Sequence, residues 1–94
     1  MSLSPEKIKR LKQQVHALNP VVLLGAKGLT EAVQKEIDGA LNVHELIKIR
    51  LNAPDHATRD EMIKAICEVQ KAELIVKIGS LCAIYRKRVD EKKK

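Results

Sequence analysis

Three amphipathic helix patterns alternate with short extended runs before the chain closes in a hairpin, and this alternation restricts the fold more than any other feature. A strand, a helix and a second strand in succession place the two strands parallel, joined by a right-handed crossover. Ser4-Pro5-Glu6 opens the first helix with a hydroxyl cap, a proline whose missing N–H costs nothing, and a first-turn acid. Ile8, Leu11, Val15 and Leu18 form its apolar stripe, and Asn19-Pro20 ends it. Val21-Val22-Leu23-Leu24 is a continuous apolar run, the pattern of a strand buried on both faces. Thr30 caps a second helix with Val33, Ile37, Ala40 and Leu41 inward, ending near Asn42.

Residues 45–51 alternate, with Ile47, Ile49 and Leu51 on one side and Leu46, Lys48 and Arg50 on the other. Thr58 and Glu61 read as a capping box for a third helix with Met62, Ile63, Ile66 and Val69 in its stripe. Residues 74–78 and 81–86 are period-two runs joined by Gly79-Ser80, a two-residue turn suited to type II′. Leu74, Val76, Ile78, Leu81, Ala83 and Tyr85 are expected to face the core, with Ile75, Lys77, Cys82, Ile84 and Arg86 outward. The order α-β-α-β-α-β-β predicts an α/β, two-layer sandwich with its helices on one face of the sheet. The other face would stay open, displaying Leu46, Lys48, Arg50, Ile75, Lys77, Ile84 and Arg86. Long cationic stems keep such a face soluble even without a partner.

Ninety-four residues suffice for one core, so residues 1–89 are expected to form a single domain and 90–94 a disordered basic tail. The net charge of +6 is uneven. Residues 1–18 carry four bases and one acid, and residues 86–94 six bases and two acids, whereas the middle is nearly neutral. Such a surplus suits a polyanion. Tyr85 is the only aromatic ring, which argues against recognition through several stacked aromatic platforms. The polyanion is most often nucleic acid or an anionic membrane. No apolar run approaches a membrane span, no h-region of a secretory signal follows the first basic residues, and a cytoplasmic setting is expected. Cys67 and Cys82 have neither metal nor redox spacing and read as packed thiols.

The segment Gly25-Ala26-Lys27-Gly28 joins a strand to a helix start, where unpaired N–H groups and the helix dipole favour phosphate. Glycine at both ends permits a tight bend and lets a sugar–phosphate chain approach without meeting a Cβ. Lys27 puts a cation at the tip. A GxxG alone is weak, with about 0.4 chance matches expected in a chain this long; its position at this junction is the informative part. The longer glycine patterns of dinucleotide and P-loop sites are absent.

Leu24-Gly25-Ala26-Lys27-Gly28-Leu29-Thr30, followed by Val33, Glu36-Ile37, Ala40-Leu41 and then residues 44–50, resembles the CRM domain, the chloroplast RNA splicing and ribosome maturation domain. The chain is similar to the stand-alone bacterial form, the YhbY family, and the likeness extends through Ile78-Gly79 to Ile84-Tyr85-Arg86. The resemblance implies a four-stranded mixed sheet like that of the C-terminal domain of translation initiation factor three. It also implies RNA binding through the GxxG loop and association with ribosomal RNA or precursors of the large ribosomal subunit. On that reading Gly25, Ala26, Lys27, Gly28, Leu29 and Thr30 form the RNA seat. Lys7, Lys12, Lys48, Arg50 and Arg86 supply flanking charge, with Lys9, Arg10, Lys77, Lys87 and Arg88 as further candidates.

Other chemistries have less support. His16, His44 and His56 share no ligand spacing, and His44 suits a cap or a sugar contact. Asp55, Asp60 and Glu61 suit a loop and first helical turn, and no paired-carboxylate site is evident. The expectation is a monomeric binding protein, not an enzyme, with no cofactor, metal, membrane or small-molecule substrate. The rival is a protein–protein adaptor docking through the open sheet face.

Overall fold

A computed structural model describes residues 3–25, 28–53 and 55–87; the basic tail at 90–94 falls outside the described residues, as do Ala26, Lys27 and Arg88. The elements are α1 (Pro5–Val15), β1 (Pro20–Leu24), α2 (Glu31–His44), β2 (Leu46–Leu51), α3 (His56–Gln70), β3 (Glu73–Ile78) and β4 (Leu81–Tyr85), in the order expected. Ser4 Oγ accepts the Lys7 N–H at 3.1 Å, and Thr30 Oγ1 accepts the Val33 N–H at 3.2 Å. The third cap differs from expectation. Asp55 Oδ1 accepts the Thr58 N–H at 3.2 Å, so α3 begins at His56 and Thr58 lies inside its first turn. Hydrogen bonds from the Thr58 side chain and amide hold the Asp55 carboxyl below its usual range, with the Arg59 charge a smaller cause. The left-handed residue Glu45, at φ 66°, ends α2 after His44, two residues beyond Asn42.

The four strands run in the order β1-β2-β4-β3, with β1 parallel to β2 and β4 antiparallel to both its neighbours. The crossover through α3 therefore skips one place, and β4 returns to fill it. Both crossover helices lie on one face, as the handedness rule requires. There Ile37, Leu41, Ile63 and Ile66 pack on Leu24, Ile47, Ile49, Leu51, Cys82 and Ile84.

The expectation of all helices on one face is corrected by α1. This helix connects no pair of parallel strands, so the crossover rule does not govern it, and it covers the opposite face. Leu11 and Val15 pack there on Leu46, Ile75, Ala83 and Tyr85. The α/β class and the mixed sheet stand, but helices flank the sheet on both sides. Leu46 and Ile75 are buried beneath α1, while Ile84 is buried on the α2–α3 side. The open face expected to display these three does not exist in that form.

Two strand assignments change with it. β1 is an edge strand buried on one face only: Val22 and Leu24 are inside, whereas Val21 and Leu23 are 50% and 57% exposed. In β3 a bulge between Leu74 and Val76 inserts Ile75 as an extra residue. Val76 then pairs with Ala83 on the α1 side, and Lys77 turns towards α3, where it forms an ion pair with Asp60. Leu74 and Ile78, expected in the core, are exposed. Strand β4 is buried through both faces from Cys82 to Tyr85, so its expected inward and outward sets are both interior. Burial pushes the Cys82 thiol up to about 12, consistent with a packing role; burial also raises Cys67, with Glu73 the lesser cause.

Ile75 separates the two architectures. Its replacement by serine would be nearly neutral on an open face. Beneath α1, Ile75→Ser is expected to lower the unfolding free energy by about 3 kcal/mol, read as a reduced urea midpoint.

Candidate nucleic-acid interface

The parallel strands β1 and β2 end together, with Leu24 beside Leu51. The Asn52 N–H donates to the Leu24 carbonyl at 3.0 Å, and the Leu51 N–H donates to the Ser80 carbonyl at 2.6 Å. The β3–β4 turn and the chain leaving β1 thus share one end of the sheet. Open α/β sheets bind ligands in the crevice outside the carboxyl ends of their parallel strands.

Gly25 leaves β1 at this end. The Gly28 N–H donates to the Gly25 carbonyl at 3.0 Å, closing a four-residue turn. The two glycines serve different needs. Gly28 adopts φ +77°, a left-handed conformation in which a side chain is strained, although a Cβ there would meet only Met62 Cε at an ordinary 3.8 Å. Gly25 has no such backbone demand, and a Cβ would meet nothing within 4 Å. The backbone therefore favours glycine at 28 and leaves position 25 free. Leu29 packs into the α2–α3 core and anchors the turn from below. Thr30 takes the Val33 amide on its hydroxyl and the Gln34 amide on its carbonyl, at 3.2 and 3.0 Å. The amides of Glu31 and Ala32 are left without a partner among the described residues.

The flanking cations divide into three groups. Arg50 is exposed on β2, opposite Leu23, close to the turn. Lys48 is half-buried and its Nζ donates to the Leu18 carbonyl at 3.0 Å, tying the α1–β1 connection to β2. Lys7 and Arg86 are placed elsewhere. Lys7 Nζ lies 5.2 Å from the Tyr85 ring centroid, a cation–π contact at the opposite end of the sheet. Tyr85 pairs with Leu46, five residues before Leu51, so Lys7 stands about 17 Å from the turn's end of β2. Lys12 is exposed on α1.

Arg86 clamps the helices to the sheet. Its guanidinium donates to the Gln70 carbonyl and Oε1, both at 3.2 Å, and to Asn42 Oδ1 at 2.8 Å, and it pairs with Asp38 Oδ1 at 3.0 Å. With the Asp38 carbonyl at 3.3 Å the fork meets five internal acceptors, so Arg86 has a structural role in the fold. Gln70, the one buried polar residue among those described, also donates to the Gln34 carbonyl at 3.0 Å.

Arg59 was not singled out in the sequence. It lies one turn before Met62 on the same side of α3, near Gly28. It donates to the Ala53 carbonyl at 3.1 Å and sits 3.1 Å from His56 Nδ1, with its Nε buried and unpartnered among the described residues. Its first-turn position gave no signal, because only the tertiary fold brings α3 beneath the turn. Among the described residues no group of three or more His, Cys, Asp or Glu could hold a metal ion, and no helix is long and apolar enough to cross a membrane.

An α/β sheet flanked by helices, with a glycine turn feeding the second helix at the ends of two parallel strands, defines a small class of binding domain. The chain belongs to the CRS1/YhbY (CRM) domain family, whose profile matches residues 3–86. It is 45% identical over 85 residues to a Haemophilus influenzae protein named RNA-binding protein, covering 90% of this chain and 86% of that one. It is 37% identical over 87 residues to the Pseudomonas aeruginosa protein named Probable RNA-binding protein PA4753, covering 93% and 84%. The solution structure of a hypothetical Staphylococcus aureus protein superposes with a TM-score of 0.82 at 28% identity, covering 98% of this chain and 96% of that one.

The differing demands on the two glycines are measurable. Gly25→Ala is expected to leave the urea midpoint unchanged within about 0.5 kcal/mol, whereas Gly28→Ala should lower stability by about 1–2 kcal/mol through its left-handed backbone. Equal losses at both positions would refute the distinction.

Proposed function

We propose that this protein is a single-domain, monomeric RNA-binding protein of residues 1–89 that seats RNA phosphates against the Gly25–Gly28 turn and assists maturation of the large ribosomal subunit in the cytoplasm. Its relatives carry RNA binding in their names, and the family is a binding domain. The ribosomal assignment rests on the family resemblance alone. The observation that carries the site is Gly25: a glycine that neither backbone nor packing requires, where β1 ends ahead of the start of α2. A residue free of structural demand yet lacking a side chain suits close approach of a ligand backbone.

In this reading Gly25 and Gly28 admit the sugar–phosphate chain, the amides following the turn donate to phosphate, and Lys27 adds an ammonium group. Arg50 supplies a cation beside the turn. No step of bond chemistry is needed, and the protein acts by binding alone. The adaptor reading loses its surface, because α1 buries Leu46 and Ile75 and the other core buries Ile84.

Gly28→Asp is the direct test, since Asp is among the few residues that tolerate a left-handed backbone. The variant should remain folded and lose more than tenfold in affinity for ribosomal RNA fragments. Lys27→Ala should reduce the slope of log affinity against log salt by about one phosphate contact. A folded Gly28→Asp protein with undiminished affinity would remove the turn from the site. Failure of the wild-type protein to co-sediment with large-subunit precursors would remove the ribosomal role.

A further inference from the structure

The face that α1 covers is not covered along its whole length. Leu23 of β1 pairs with Arg50 of β2, Arg50 with Leu81 of β4, and Leu81 with Ile78 of β3. These four residues form one cross-strand row on the α1 side of the sheet. With strands about 4.8 Å apart, the row is about 14 Å long. It lies beyond the part of the sheet that α1 packs against. Leu23 and Ile78 are 57% and 47% exposed, Leu81 is half-buried, and Arg50 is exposed.

Three features say what would cover it. The row is flat and apolar with a guanidinium in its second place, so it offers planar contact and positive charge without an aromatic ring. The neighbouring strand positions on this face, Pro20, Val21, Lys48 and Val76, contain no acid, the face's one strand acid, Glu73, standing opposite Tyr85 at the far end of the sheet, and Arg50 makes no ion pair among the described residues. The row is also continuous with the turn: Leu23 precedes Gly25 by two residues, about 7 Å along the strand.

We infer that the Leu23–Arg50–Leu81–Ile78 row is a platform for unstacked nucleobases of single-stranded RNA, reached by a strand whose phosphates sit at the Gly25–Gly28 turn. The inference deepens the proposed function and rests on its RNA-binding reading. The Arg50 guanidinium stacks on one base, and Leu23 and Leu81 flank it with apolar surface. Arg is suited to this, being planar and weakly hydrated, whereas Lys offers only a point charge. A duplex keeps its bases stacked inside and has none to offer.

The probe is a 12-nucleotide oligouridine carrying one central 2-aminopurine, compared with a 12-base-pair RNA duplex at matched salt. The single strand should bind at least tenfold more tightly, and the 2-aminopurine fluorescence should change on binding. Arg50→Lys should weaken single-strand binding about fivefold to tenfold, abolish the fluorescence change, and leave the salt slope unaltered because the charge is kept. Leu23→Ser and Ile78→Ser, at exposed positions that keep the fold, should weaken the single strand and leave the duplex unaffected.

Duplex binding as tight as single-strand binding, with row variants like wild type, would overturn the platform; if Gly28→Asp still abolished binding, the turn would stand without it. Row variants that weaken the single strand while Gly28→Asp does not would support the platform and remove the turn. Row variants that change only the sedimentation of the protein alone would overturn the platform in favour of self-association, and absence of binding to either probe would sink both readings.

Discussion

Strands β2 and β4 occupy the middle of the sheet, and their alternating side chains must be buried on both sides at once. Ile47, Ile49, Leu51, Cys82 and Ile84 go to the α2–α3 side, and Leu46, Ala83 and Tyr85 go beneath α1. A buried apolar side chain of this size contributes about 1.5–3 kcal/mol relative to exposure. Leaving one face open would forfeit several such contributions, which is why α1 must close that side. The bulge at Ile75 serves the same requirement. One extra residue in β3 directs both Ile75 and Val76 towards α1 and frees Lys77 to reach Asp60 on α3.

Arg86 lies just past the end of β4. Its guanidinium joins the C-terminal turns of α2 and α3 to the sheet through Asp38, Asn42 and Gln70. This clamp stands at the end of the sheet where β2 begins, and the glycine turn stands where β2 ends. One end of the molecule is tied by charge-assisted hydrogen bonds. At the other end a turn with the Gly28 N–H on the Gly25 carbonyl leads into α2, beside the uncovered cross-strand row. Internally bound and exposed cations are thereby separated: Arg86 and Lys48 hold internal acceptors, and Arg50 faces outward.

Much of this was legible in the chain. The caps Ser4 and Thr30, the crossovers, and the Gly79-Ser80 hairpin are local signals that depend on neighbours a few residues away. The position of Gly25 and Gly28 at a strand-to-helix junction was legible for the same reason. The cationic set was not, because a lysine or arginine on a polar stripe reads alike whether it meets solvent, an aromatic ring or a buried carbonyl. Charge alone points Arg86 and Lys7 to RNA, yet Arg86 meets Gln70, Asn42 and Asp38, 16, 44 and 48 residues away, and Lys7 meets Tyr85, 78 residues away. Arg59 escaped notice since only the packing of α3 brings it near Gly28.

The amino-acid order by itself determined the elements, their succession and the shared face of the two crossover helices, since period, capping and crossover handedness act locally. Only the tertiary structure decided where α1 lies, which residues of the hairpin are inside, and which cations stay exposed. Those outcomes depend on burying two sheet faces together, and a helix that precedes the first strand carries no local mark of the face it will cover.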